Sequence, residues 1–387
     1  MLPSIYAADR PLTLGILGGG QLAKMTAQAA YRMGLQVAVI EHGANSPAGC
    51  MTKQEFSEGW TNEEALERFI LASDIVTLEN EFISPDILRR IAERRLVFPS
   101  PDTIALVQDK FTQKNTMKAA GIPVPQFAAA DTVEGLTAFA AEHSYPIVIK
   151  TRTLGYDGYG NATARTESDC HAAWNRFTTG DAPRELMAES FVRFAKELAV
   201  IVARNRRGEV AVYPCVQTIQ QQHICVTVLA PAPIDAALQA KAQEMAVACV
   251  EAIDGVGVFG IELFLTLEDE ILFNEIAPRP HNSGHYTIEA CTASQFENCV
   301  RAVCNLPLGS PGLVTGGAAM INILGERNGP GVPDSVVDTL QHPYASLHLY
   351  GKKDSRVGRK MGHITALGAD VNEAFGRARD AVEALIW

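Results

Sequence analysis

The chain has 387 residues, too many for one simple core, and two or three domains are expected. Its 44 acidic against 33 basic residues leave a formal charge of −11, which argues against general nucleic-acid binding, since that needs a basic footprint. No segment has the uninterrupted apolar length of a membrane span, and the start, MLPSIYAADRP, lacks a charged opening followed by an apolar stretch, so neither a membrane role nor a signal peptide is expected. Eight cysteines, none in a CxxC pair, mostly sit among apolar neighbours and read as buried free thiols of a cytoplasmic protein, rather than as disulfides or zinc ligands.

In chain order, residues 12–17 form a short apolar run, Gly18-Gly19-Gly20 follows, and a helical pattern continues to Met33. Gly34 ends that helix and 35–40 reads as a second buried strand, the βαβ opening of an α/β domain. The spacing Gly18-x-Gly20-x-x-Ala23, with Glu41 about 20 residues on, fits the dinucleotide fingerprint. Its physics is general, because backbone N–H groups at a helix N-terminus favour any phosphate, to which Gln21 can add a side-chain amide. Strands are expected at 75–78 and 96–98 with a helix near 85–94 between them, and Pro99-Ser100-Pro101 then marks a first boundary.

A helix near 110–120 stops at Gly121, and Ile122-Pro-Val-Pro125 is a stiff connector. A compact unit follows: helix 132–143, strand 147–150, the loop Gly155-Tyr156-Asp157-Gly158-Tyr159-Gly160, a strand, a helix, then strand 186–189. Lys150 would carry an ammonium into a cleft, and the three glycines of the loop permit close backbone approach to phosphate oxygens. This is no P-loop, since the lysine precedes the glycines. The bland alternative is a glycine-rich turn, for which Tyr156 and Asp157 would be superfluous. Glu189-Ser190-Phe191-Val192 leaves an apolar run for a bend that could read an adenine edge, with Glu189 accepting from the amino group; the pattern suits a domain-linking strand as well. Glu197 could accept from ribose hydroxyls or be a surface charge.

Strands at 197–203 and 209–213 flank a turn at 205–208, and a helix at 234–252 precedes the run GIELFLTLEDEILFNEIAPRPHNSGH. Its first part reads as a hairpin of 261–267 and 270–277. With a two-residue tip at Glu268-Asp269, Glu262 and Glu275 face each other across the ladder, and Asn274 lies beside them. Bare like charges so placed destabilise a sheet, whereas hard oxygen ligands at that spacing suit a divalent cation carrying phosphates. Two solvent-facing glutamates are the alternative, and a longer tip would break the pairing. The following PRPHNSGH, rich in Arg, His and Asn, reads as a substrate loop. Beyond a Gly- and Pro-rich stretch at 309–317 come strands at 318–324 and 346–350 and a closing amphipathic helix at 371–385. Lys352, Lys353, Arg356, Arg359 and Lys360 cluster here, either as a solvated basic turn or as a monophosphate clamp. His363 and the other histidines show no metal-ligand spacing.

Together these segments resemble the ATP-grasp superfamily and, more narrowly, its N5-carboxyaminoimidazole ribonucleotide synthetases, the ATPase component of phosphoribosylaminoimidazole carboxylase. The matching runs are LGILGGGQLAKM, QDKFTQK, VIKTRTLGYDGYG, NEIAPRPHNSGH and GRKMGHI, and the likeness extends from Leu12 to the C-terminus. It implies a fold of α/β and α+β parts: a Rossmann-like domain over 1–105, an ATP-grasp domain over 106–310 with a lid subdomain near 122–190, and a small β-rich domain over 311–387. By matching position, Lys110 and Lys150 would contact ATP phosphates, and Gly155, Tyr156, Asp157, Gly158, Tyr159, Gly160 and Asn161 would form the lid over them. Glu189, Ser190, Phe191 and Val192 would hold adenine and Glu197 the ribose, with Gln220 and Asn274 also at the nucleotide. Glu262 and Glu275 would bind Mg²⁺. Gln21, Tyr156, Asp157, His281, Asn282, Ser283, His285, Lys352 and Arg359 would surround aminoimidazole ribonucleotide and its 5′-phosphate. The triple glycine then becomes a phosphate-binding relic. Two departures stand out: Gln220 replaces a frequent His, and Lys110, where relatives carry Arg, keeps the charge without the bidentate fork.

The reaction implied is the ATP- and bicarbonate-dependent carboxylation of 5-aminoimidazole ribonucleotide via carboxyphosphate, in purine biosynthesis. Arg279 would hold bicarbonate or carboxyphosphate, and Asp157 or Tyr156 would assist deprotonation of the amine. A homodimer and a functional link to a mutase are also implied. A formate-dependent glycinamide ribonucleotide transformylase would share the metal hairpin. An NAD-dependent oxidoreductase would use Gly18, Gly20 and Glu41 but leave the hairpin unexplained. A non-catalytic nucleotide-binding module conflicts with the retained Lys150, Glu262, Glu275 and Arg279.

Overall fold

The computed structural model describes residues 5–7, 9–155, 160–179 and 183–387. Five parallel strands come first, in the spatial order Glu55–Phe56, Gln36–Ile40, Thr13–Leu17, Ile75–Leu78, Leu96–Val97. Their central members are near-continuous apolar runs because both faces are covered, and every residue of Thr13–Leu17 is buried. Asn62 and Ser84 start the crossover helices Glu63–Ala72 and Pro85–Ala92 by accepting from the Ala65 and Asp86 N–H groups. The strand order reverses between Thr13–Leu17 and Ile75–Leu78. Such sheets bind ligands in the crevice outside the carboxyl ends of those two strands.

Helix Lys110–Ala119 is capped by Asp109, whose Oδ1 accepts from Phe111 N at 2.8 Å and Thr112 N at 3.0 Å. The same carboxylate holds Arg152 Nε at 3.0 Å, just past strand Ile147–Thr151. That clasp ties the helix to an antiparallel sheet ordered Asn161–Ala164, Ile147–Thr151, Leu186–Ser190, Phe127–Ala130. Helices Val133–His143 and Glu167–Thr178 pack on this sheet through Leu136, Phe139 and Phe177.

The largest sheet has nine strands. It runs Ile271–Ala277, Gly257–Thr266, Phe194–Arg204, Val216–Gln221, Ile224–Ala230, Gly317–Leu324, Lys360–Gly368, Ala345–Leu349, with Val210–Val212 beside Phe194–Arg204. The units expected at 106–310 and 311–387 therefore share one ladder, in which Thr227 to Ala230 pair with Ile321 to Ala318. Among the strands that escape the sequence reading, two in this sheet have a visible reason. Ile224–Ala230 is entered through Gln222 and His223 at φ 51° and 65°, which lack the Asn-Gly signature of a tight hairpin. Lys360–Gly368 opens inside the basic cluster, where charge masks its alternation. Among the described residues no helix is long and apolar enough to cross a membrane. All eight cysteines are free, Cys50 exposed and Cys225 half-buried. Burial pushes Cys215 and Cys249 up to about 12, as suits inert thiols.

Candidate active site

The glutamate hairpin reaches the expected pairing by a different route. Its tip is one residue longer than assumed: Thr266 N donates to Glu270 O at 2.9 Å, and Asp269 takes the left-handed conformation at φ 59°. A bulge then absorbs one residue between Glu262 and Leu263, so Glu262 still lies opposite Glu275 while Leu263 pairs with Phe273. Asn274 is the extra residue, and a bulge of this kind re-aims a side chain. Its amide nitrogen donates to Glu262 Oε2 at 3.2 Å and its oxygen accepts from Lys150 Nζ at 3.2 Å. Glu275 is ion-paired with Lys110, and Glu262 faces His281 Nε2 at 3.4 Å. Burial pushes the Glu262 carboxyl up, but His281, Lys110 and Lys150 outweigh it and hold it down to about 2. Glu197, one strand over, has less compensation, and burial with the charge of Glu262 raises it to about 7. Gln220, at the family-His position, hydrogen-bonds that carboxyl.

These groups line a cavity of about 380 Å³ that also receives Gly155, Asn161 and Arg279. Lys150, which lines it, belongs to a buried ion triad: Glu189, only 2% exposed, sets one carboxylate oxygen 2.5 Å from Lys114 Nζ and the other 2.5 Å from Lys150 Nζ. Burial opposes its ionisation, yet the two ammonium groups bring Glu189 down to about 2, while burial lowers Lys114 to about 8. The carboxylate expected to meet adenine thus already serves two lysines. Ser190 N is likewise taken by Gln126 O at 2.9 Å, whereas Phe191 is 43% exposed and Val192 half-buried. Gly160, at φ 91°, gives its carbonyl to Thr151 N at 2.8 Å. Tyr156, Asp157, Gly158 and Tyr159 lie outside the described residues, and so do the lid and proton-transfer roles expected of them.

The N-terminal domain supplies the opposite wall, and its glycine turn is occupied by the protein itself. Gly20 N donates to Glu79 Oε1 at 2.6 Å, Ala23 N to Glu79 Oε2 at 3.0 Å, and Gly19 N to Glu41 Oε2 at 2.8 Å. A Cβ on Gly20 would stand 2.6 Å from Glu79 Oε1, so only glycine admits this carboxylate. The helix N-terminus that could take a phosphate takes two side-chain carboxyl groups instead, which removes the basis of the alternative oxidoreductase reading. Gln21 still reaches the cavity. Beyond Glu79, Glu81 binds Arg279 as a fork, Nε–Oε2 2.6 Å and Nη2–Oε1 3.1 Å. The guanidinium expected to hold bicarbonate or carboxyphosphate is thereby paired with a carboxylate.

In the PRPHNSGH loop, His281, Asn282 and His285 line the cavity, but Ser283 is fully buried and holds His281 Nδ1 at 2.8 Å. Asn282 exchanges two amide hydrogen bonds with Asn322, at 3.0 and 2.7 Å. Of the basic cluster it is Lys360 that lines the cavity. Lys352 Nζ donates to Lys360 O at 2.8 Å and lies over the Tyr350 ring, and Arg359 Nη1 donates to Asp354 O at 2.5 Å. Sequence reading missed Glu79, Asn80, Glu81 and Phe82, although they follow the strand at the reversal point of the parallel sheet, where ligand contacts concentrate. It also missed Lys114, one helical turn after Lys110 and hence on the same face.

Comparison with known proteins fits this geometry. Residues 115–296 match the ATP-grasp domain, 12–108 the ribonucleotide synthetase preATP-grasp domain, and 318–377 the phosphoribosylaminoimidazole carboxylase C-terminal domain. The N5-carboxyaminoimidazole ribonucleotide synthase of Synechococcus elongatus is 41% identical over 358 residues, 91% of this chain and 88% of that protein. The chain belongs to the N5-carboxyaminoimidazole ribonucleotide synthase family. The phosphoribosylaminoimidazole carboxylase of Schizosaccharomyces pombe is 40% identical over 94% of this chain, which spans 66% of that longer protein. A crystal structure of the Aspergillus clavatus synthase with ADP and 5-aminoimidazole ribonucleotide superposes with a TM-score of 0.87 and 35% identity, covering 96% of this chain and 98% of that one. Membership of the synthase family accounts for the three-part fold, the ATP-grasp hairpin and the C-terminal strands that complete its sheet.

Proposed function

We propose that the chain is an ATP-dependent carbon–nitrogen ligase that carboxylates 5-aminoimidazole ribonucleotide with bicarbonate, giving N5-carboxyaminoimidazole ribonucleotide, ADP and phosphate. The observation that carries this reading is one cavity shared by two sets of groups. Glu262, Glu275, Lys110 and Lys150 form a phosphoryl-transfer end, while His281, which adjoins Glu262 at 3.4 Å, leads on to the polar groups Asn282, His285 and Lys360. The Aspergillus synthase, similar along nearly its whole length, carries ADP and the aminoimidazole ribonucleotide, which supports both ends.

Phosphoryl transfer depends on charge neutralisation and alignment more than on covalent help. Lys110 and Lys150 supply positive charge from two different elements, and both are held in place before nucleotide arrives, by Glu275 and by Glu189 with Asn274. Among the described residues no three His, Cys, Asp or Glu side chains form a ready-made metal cluster. Two opposed carboxylates nonetheless fit Mg²⁺, which takes one or two protein carboxylates and completes its shell with water and substrate phosphates. Glu262 and Glu275 would hold it, and it would supply charge neutralisation at the phosphates. Bicarbonate attack on the γ-phosphoryl group gives carboxyphosphate and ADP. Breakdown to CO₂ and phosphate beside the exocyclic amine is followed by C–N bond formation with loss of one amine proton. Arg279, held at the cavity wall by Glu81, would add positive charge for this anion. Family resemblance further supports a homodimer and a mutase that consumes the product.

The test is ATP hydrolysis by the purified chain with Mg²⁺ and bicarbonate, with and without the ribonucleotide. A bicarbonate-dependent rise on adding 5-aminoimidazole ribonucleotide is expected. Turnover instead on formate with glycinamide ribonucleotide would leave the fold standing and sink the substrate assignment.

A further inference from the structure

We infer that Gln295 is a positioning residue that fixes His285 as the neutral tautomer with its proton on Nε2, making it a hydrogen-bond donor in the substrate cavity. Gln295 opens the helix Gln295–Val303 and has no exposed surface. Its amide is read by the backbone of His281: the N–H donates to Oε1 at 2.9 Å, and the carbonyl accepts from Nε2 at 2.8 Å. A peptide N–H can only donate and a peptide oxygen can only accept, so the chain itself determines which end of the amide is nitrogen. That nitrogen lies 3.1 Å from His285 Nδ1. An amide NH₂ offers protons and no lone pair, so Nδ1 must accept and carries no proton. In a neutral imidazole the proton then resides on Nε2.

The surroundings make this arrangement rigid. Thr287 Oγ accepts from Gln295 N at 2.9 Å and donates to Gly284 O at 2.6 Å, closing the loop onto the helix. A Cβ at Gly284 would fall 2.5 Å from Gln295 Oε1, so the glycine keeps room for the amide. The His285 ring packs on Phe296 at 5.5 Å and on the buried His363 at 5.0 Å, which in turn bonds Tyr350 through Nδ1 at 3.1 Å. Burial holds both imidazoles well below their ordinary range, in keeping with neutral rings. His285 lines the cavity, and among the described residues no protein group is hydrogen-bonded to its Nε2.

The functional consequence rests on the reaction proposed above. With Nε2 protonated and Nδ1 committed to Gln295, His285 cannot remove the proton that the amine loses on carboxylation. Its chemistry is that of a neutral N–H donor, suited to an oxygen of the ribonucleotide, and the base lies elsewhere. The tautomer itself does not depend on that reaction, so the two fail separately.

Long-range ¹H–¹⁵N correlation on the full chain labelled with ¹⁵N-histidine reads the tautomer directly, with His285→Gln used only to assign the signals. Near neutral pH, His285 should show a pyridine-type Nδ1 and a pyrrole-type Nε2; a protonated Nδ1 overturns the proposal whatever the enzyme turns over. In Gln295→Met the signals should move toward a tautomer mixture, and the KM for the ribonucleotide should rise about tenfold, the worth of one well-placed hydrogen bond, with the KM for ATP little changed. Gln295→Glu, whose carboxylate can only accept, should shift the proton to Nδ1. An unchanged tautomer in either variant would show that Gln295 does not set it. Should both variants fail to fold, the wild-type spectrum still decides the tautomer.

Discussion

A carboxylate in this cavity can be a ligand or a counter-ion, and Glu275 is placed to be both. It pairs with Lys110 across the cleft and faces Glu262 across the ladder. Glu275→Gln keeps the shape and removes the charge, so ATP turnover should fall at least about a hundredfold while the fold persists, as measured by phosphate release and circular dichroism. Wild-type-like hydrolysis would contradict the metal assignment. Lys114 and Glu189 raise a different question, because they are 1% and 2% exposed and pair where water cannot compensate. Lys114→Met should cost about 3–5 kcal/mol in urea unfolding, since it leaves a buried carboxylate with one cation instead of two. Glu189 also carries a pH signature. Its carboxyl lies at about 2 in the fold against an ordinary 4.5, so the stability it contributes is complete above about 4.5 and is lost as pH falls toward 2. Over that window the loss should be on the order of 3 kcal/mol, and Glu189→Gln should flatten the slope.

At the scale of elements, much of the site was legible because chemistry and periodicity coincide. Alternation placed Glu262 and Glu275 on one face, and the apolar runs around Gly18 gave the parallel strands. The illegible part lies in compensating irregularities. Neither the three-residue tip nor the bulge at Asn274 has a sequence marker, yet each displaces the register and together they restore it. Hydrogen bonds between distant segments were equally hidden: nothing near Gln295 announces His281, and nothing near Gly20 announces Glu79. Asp109 shows how one side chain can serve two elements, as helix cap and as clasp on Arg152. Asp109→Ala should destabilise by about 2 kcal/mol, of which Asn, a good cap without charge, should recover about half. Equal stability of the Ala and Asn variants would show that the cap contributes nothing.

Across the whole molecule, the ladder from Ile271–Ala277 to Ala345–Leu349 makes the glutamate hairpin and the C-terminal strands parts of one sheet. A chain ending at residue 316 should therefore not leave a stable ATP-grasp unit. It would expose the edge of Ile224–Ala230 and lose Asn322 from Asn282, and aggregation in size-exclusion chromatography is the expected result. A soluble truncated protein with a sharp melting transition would refute this. The plugged glycine turn has a broader consequence. A carboxylate tethered beside a helix N-terminus acts at an effective concentration that short tethers place in the millimolar range or above. A free phosphate or dinucleotide would have to displace Glu79 and Glu41 together, both anchored to their own strands. Glycine spacing alone therefore cannot distinguish a turn that awaits an anion from one that already contains it. The distinguishing mark is the acid that follows the fourth strand, here Glu79 directly after Ile75–Leu78, and it can be sought in any sequence that carries the same glycines.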